Sequence, residues 1–183
     1  MPLPSGFVPS AMQVGHAIGF AISSLLIEEL ARAPDAKQLL AAGISRAQYT
    51  DELVLLSSAA AMHAIESAGL SPKDENAAAA GLYSWLRERT EPGRTFSLHS
   101  IEDTLANYAA ASRAEAEAGP SGSTLSALEE EFGERLLELG ENNKVRGEAC
   151  VLLCLVAPTL LWPSQYKTAM IMLREAGFVK AAQ

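Results

Sequence analysis

Basic residues and aromatics are both scarce in this chain. Its 14 lysines and arginines stand against 22 aspartates and glutamates, a net charge of −8. Nucleic acid phosphates and anionic lipids recruit proteins through Lys and Arg, which displace counterions, so the composition argues against both as partners. Aromatics make up 6% of the residues, and these with β-branched side chains are what a sheet is built from. No run of residues reads as a strand.

The chemical motifs with fixed spacing are also missing. There is no Gly-x-x-x-x-Gly-Lys loop to cradle phosphates, no Gly-x-Ser-x-Gly nucleophile turn, and no calcium loop. The 2 cysteines, Cys150 and Cys154, lack the companion cysteines or histidine that a tetrahedral zinc site needs. Four residues apart on one helix, they do not offer disulfide geometry and read as small buried apolar residues. That use suits a reducing compartment. No Lys or Arg precedes the apolar run that begins near Ala11, so the start does not read as a secretory leader. The expected location is cytoplasmic, and no cofactor is expected.

What is present is helix-forming. Alanine supplies about one residue in six, and 49% of the 183 residues are hydrophobic against 20% charged, a balance that supports one buried core. A capping pattern recurs, in which Ser or Asp is followed three residues later by Gln, Glu or Asp: Ser10 with Gln13, Asp35 with Gln38, Ser45 with Gln48, Ser71 with Asp74, Ser100 with Asp103. Pro72 suits a first helical position. Gly43, Gly69 and Gly177 each follow alanine and precede an apolar residue, the signature of a left-handed glycine closing a helix.

These signals predict helices at about 10–32, 35–42, 45–68, 71–89, 100–118, 123–139, 143–157 and 163–176. The apolar stretch from Ala149 to Trp162 is too short for the ~20 residues a bilayer span requires and reads as a buried helix. The first helix is apolar in nearly every direction from Ala11 to Ile27, which places it at the centre. The expectation is an all-α fold: a compact single-domain bundle over residues 1–183, of about seven or eight helices, with a buried N-terminal central helix.

Two constellations stand out. His63-x-x-Glu66 and His99-x-x-Glu102 each put imidazole and carboxylate on one helix face, and together could hold a transition metal. The bland alternative is a surface ion pair for the first and a polar side chain beside a cap for the second. The other constellation is Ala11-x-x-x-Gly15-x-x-x-Gly19-x-x-x-Ser23, a row of small residues that admits another backbone, from this domain or from a partner subunit. His16, next to that row, reads as a hydrogen-bonded core histidine.

Leu173-Arg174-Glu175-Ala176-Gly177-Phe178-Val179 resembles the close of the recognition helix in winged-helix regulators. The resemblance spans seven residues and implies a DNA-binding regulator; a glycine-capped helix accounts for the same letters, and no basic groove accompanies them. The function expected first is a non-enzymatic interaction or regulatory domain. It would bind a protein partner or self-associate through apolar surface, with Ala77–Ala80 and Ala109–Ala111 as candidate strips. The competing class is a small-molecule binder or metal-assisted enzyme with a pocket between helices, using His63, Glu66, His99 and Glu102.

Overall fold

Helices begin where the serine pattern indicates. The backbone N–H of Gln13 donates to Ser10 Oγ at 3.3 Å while Gln13 Oε1 accepts from the Ser10 N–H at 2.9 Å. Ser45 and Gln48 repeat this reciprocal pair at 3.2 and 2.8 Å. Ser71 Oγ accepts from the Asp74 N–H at 3.2 Å. A further pair, Ser126 with Glu129 at 2.7 and 3.2 Å, opens the helix expected from 123, so that helix starts at Ala127. Each pair satisfies amides that the first turn leaves without partners.

Stops follow the glycines. Gly43, Gly69 and Gly177 have φ of 71°, 65° and 82°, the left-handed region that costs glycine little. At the last of these the Phe178 N–H donates to the Leu173 carbonyl at 3.0 Å and the Gly177 N–H to that of Arg174 at 2.9 Å, completing a Schellman close. Side chains finish other ends: Arg46 donates to the carbonyls of Ala31 and Pro34, and Gln48 Nε2 to that of Leu139 at 3.2 Å.

The computed structural model describes residues 8–22, 25–34, 37–39, 43–89, 98–118, 126–139 and 148–179. Among them are seven helices: α1 (Ala11–Ile22), α2 (Leu25–Arg32), α3 (Arg46–Ser67), α4 (Pro72–Arg89), α5 (Leu98–Ala118), α6 (Ala127–Leu139) and α7 (Glu148–Glu175). A helical turn occupies 37–39, and no strand occurs among the described residues. The fold is the all-α, single-domain bundle expected. Asp35 and Ser23 lie outside the described residues, as do the side chains of Ser100, Cys150 and Cys154.

Two features differ from the pattern reading. The helix at the centre is α3, which packs against every other helix. From Glu52 to Ala61 it is buried all round, and the Ser57 and Ser58 hydroxyls donate to the carbonyls of Leu53 and Val54 at 2.8 Å, so neither is left unpaired. α1 instead lies mainly against α4. It buries Ala11, Val14, Gly15, Ile18, Gly19 and Ile22 and leaves Met12 and Phe20 52% and 60% exposed. A helix without charges reads as enclosed from composition alone, yet packing covers only one side of it.

Secondly, the helices expected at 143–157 and 163–176 are one 28-residue helix that runs through Pro158 and Pro163. Each proline removes one amide donor and crowds the preceding turn. Packing of α7 along α3 and α6 outweighs that loss, with Leu161, Ala169 and Leu173 fully buried.

Candidate functional site

The four candidate metal ligands are distributed over two helices, α3 and α5. His63 is on α3, its ring 6.0 Å from that of Trp162 and 5.6 Å from that of Tyr166 on α7. It is therefore half-buried among aromatic rings. Glu66 and Glu102 are exposed, on α3 and α5. Both carboxylates bear on Tyr83 of α4: burial first, then the charges of Glu102 and Glu66, push that phenol's pKa up. The His99 side chain lies outside the described residues. Among the described residues no group of three or more His, Cys, Asp and Glu side chains is placed to hold a metal ion.

The strongest polar cluster was hidden from pattern reading. Glu52, a carboxylate in the middle of α3, is fully buried. Its Oε1 accepts a hydrogen bond from the equally buried Tyr108 hydroxyl at 2.6 Å and lies 3.5 Å from Nε of Arg135. Burial raises the Glu52 pKa, against the lowering influence of Tyr108 and Arg135. Burial and the neighbouring Glu52 charge raise that of Tyr108 well above the usual phenol range. Burial, the largest influence, works against the Arg135 charge, but Glu52, Tyr108 and Glu138 together outweigh it and raise the guanidinium's pKa. Sealed from solvent, Glu52 and Tyr108 join α3 to α5, and Arg135 ties in α6.

Surface chemistry gathers instead around the small-residue row. A Cβ on Gly15 would stand 1.9 Å from the Ala78 carbonyl oxygen, and one on Gly81 2.1 Å from that of Met12. The backbones of α1 and α4 thus touch, as the row predicts, within the same domain. A Cβ on Gly19 would meet the Trp85 ring at 2.3 Å. This close approach fixes the rotation of α1. At about 100° per residue, Met12, Gln13, His16, Ala17 and Phe20 then occupy the arc turned away from the core.

That arc carries no formal acid or lysine or arginine, since α1 reads AMQVGHAIGFAI. On one side lies a groove of about 340 Å³ lined by Met12, His16, Phe20, Gly81 and Ser84. On the other, a groove of about 560 Å³ is lined by Val8, Pro9, Val14, Met172, Glu175 and Ala176. Gln13 and Ala17 line both, so the two grooves flank one strip. Phe20 meets His16 and Trp85 edge-on at 5.2 and 6.4 Å. His16 is a rim residue, one-third exposed, with Nε2 3.2 Å from the Glu88 carboxylate. It is not the core histidine that its apolar neighbours suggest.

The alanine strips contribute less. Ala78 is buried under α1, and of the two strips Ala80 and Ala110 are exposed while Ala77, Ala79, Ala109 and Ala111 are half-buried. By length and composition Ala11–Arg32 is also apolar enough to cross a membrane, as core helices can be. The chain matches no known family model, no characterised protein and no solved structure.

Proposed function

We propose that this chain is a protein-interaction domain whose docking face is the open side of α1. The observation that carries the reading is the exposure of Phe20 and Met12, with Val8 at 78%, beside two grooves on a helix whose other side is locked into the core. Large apolar side chains exposed singly are ordinary; a contiguous set bordering concave surface marks an interaction site. A partner covering the strip removes apolar area from water without reorganising the bundle, because α1 is already fixed by the Gly15 and Gly81 approaches.

Site-specific photo-crosslinking tests this. A benzophenone side chain at position 20 or 12 is expected to give adducts of defined mass in cell extract, and one at Arg113 or Glu117, on the exposed end of α5, is not. The partner identified from the adduct must then bind the purified chain and lose that binding on Ala17→Asp. Identical adduct patterns from both regions would overturn the reading.

A further inference from the structure

Resting on that reading, we infer that the occupant of the α1 face is a separate amphipathic helix carrying lysine or arginine beside its apolar stripe. Three observations select it. The first is shape. α1 has 12 residues, about 18 Å at the helical rise, which matches the reach of apolar anchors spaced three, four and seven residues apart on an incoming helix.

The second is the state of the backbone. The strip is the outer surface of a helix, whose amides and carbonyls are engaged along its own axis, so it presents no unpaired ladder to an extended peptide. An incoming helix, with its own backbone satisfied, needs none. Met12 on one groove and Met172 on the other supply unbranched side chains that adapt to different anchors.

The third is charge. The strip itself is neutral, but Glu88 stands over His16 at one groove and Glu175 lines the other. Arg89 lies over the Trp85 ring, 5.1 Å from its centroid, Arg87 and Arg174 are exposed beside Glu88 and Glu175, and among the described residues no lysine or arginine lines either groove. The whole chain carries −8. A cationic flank is drawn towards such a surface and oriented by it. A second copy would bring another −8 and the same two carboxylates, and an anionic lipid surface would meet the same repulsion.

The test uses the full chain and two labelled model peptides of about 14 residues, with the same leucine and alanine stripe, flanked by lysine in one and glutamate in the other. Fluorescence anisotropy at low salt is expected to show the lysine peptide binding at least about tenfold more tightly, a difference that salt reduces. Glu88→Lys with Glu175→Lys should abolish or invert the preference. Phe20→Asp should weaken the lysine peptide about tenfold while leaving the melting temperature of this exposed site unchanged.

Equal affinity for both peptides overturns the inference. So does binding of neither peptide when position 20 still crosslinks a defined protein, a result that leaves the interaction reading standing. A dimer in sedimentation that Phe20→Asp dissolves would assign the face to a second copy. Phe20-dependent co-sedimentation with phosphatidylcholine–phosphatidylglycerol vesicles would assign it to lipid. Either of these two results also overturns the inference.

Discussion

The Tyr108 hydroxyl donates to Glu52 Oε1 at 2.6 Å in a region where neither side chain reaches solvent. A short O–H···O bond to a carboxylate is of the charge-assisted kind, stronger than a neutral pair. Arg135 approaches the same oxygen and directs another nitrogen to Glu138 at 2.9 Å, while Glu52 Oε2 has no hydrogen-bond partner among the described residues. The cluster is thus only partly compensated, and each bond in it counts.

Tyr108→Phe removes the hydroxyl and keeps the ring. A hydrogen bond to a charged group contributes about 1.5–3 kcal/mol, so urea unfolding should show stability lower by about that amount, with an unchanged slope against denaturant. An unchanged midpoint would mean that the hydroxyl adds nothing to the fold.

Glu52→Gln has a pH signature. Burial raises the folded-state pKa of Glu52 above its ordinary 4.5. The folded protein therefore holds that proton more tightly than the unfolded chain does. The stability this confers is fully present below pH 4.5 and is lost as pH rises through the raised value. The glutamine that replaces it cannot titrate. The difference in melting temperature should accordingly shift in favour of the glutamine variant as pH rises from 4.5 towards neutrality, whatever its sign at the start. Parallel curves for the two proteins across that range would contradict the raised pKa.

The contrast between Ser45 and Glu52 shows what a single sequence can and cannot reveal. Ser45 meets Gln48 three residues away, and Gly177 closes a turn of its own helix, so both are written locally. Glu52 finds Tyr108 56 residues away, and a helical wheel, which sees only neighbours, sends such a carboxylate to water. The same limit affected α1. The glycine row revealed a close helix contact, while the absence of charge concealed that the opposite arc is open. A signal for that arc was available: with Gly15 and Gly19 turned inwards, Gln13 and Ala17 lie on the other side by helical geometry alone.

Gly15→Ala and Gly81→Ala test the α1–α4 contact from either side. An alanine in an exposed helix stabilises by about 1 kcal/mol relative to glycine. Here each new methyl would meet backbone, at 1.9 Å from Ala78 and 2.1 Å from Met12, and backbone cannot rotate aside. Overpacking of this kind costs about 1–3 kcal/mol or more, so both variants should melt lower. Because each pushes the same two helices apart, the double variant should lose less than the sum of the two singles. A melting temperature raised by either single change would show that the helices are not in backbone contact.

Pro163 gives the opposite sign. It sits inside α7 with its side chain exposed, so it contributes little packing while withholding an amide from the carbonyl one turn back. Interior proline is about 3 kcal/mol less favourable than alanine in a helix, offset by about 0.4–1 kcal/mol because proline also restricts the unfolded chain. Pro163→Ala should therefore raise the melting temperature by several degrees, at about 2–4 °C per kcal/mol for a chain of this size. Pro158 is buried against the bundle, so Pro158→Ala gains the same amide but leaves a void, and should gain less. Calorimetry of the two variants checks the order. A drop for Pro163→Ala would mean that α7 is two helices meeting at a proline rather than one continuous helix.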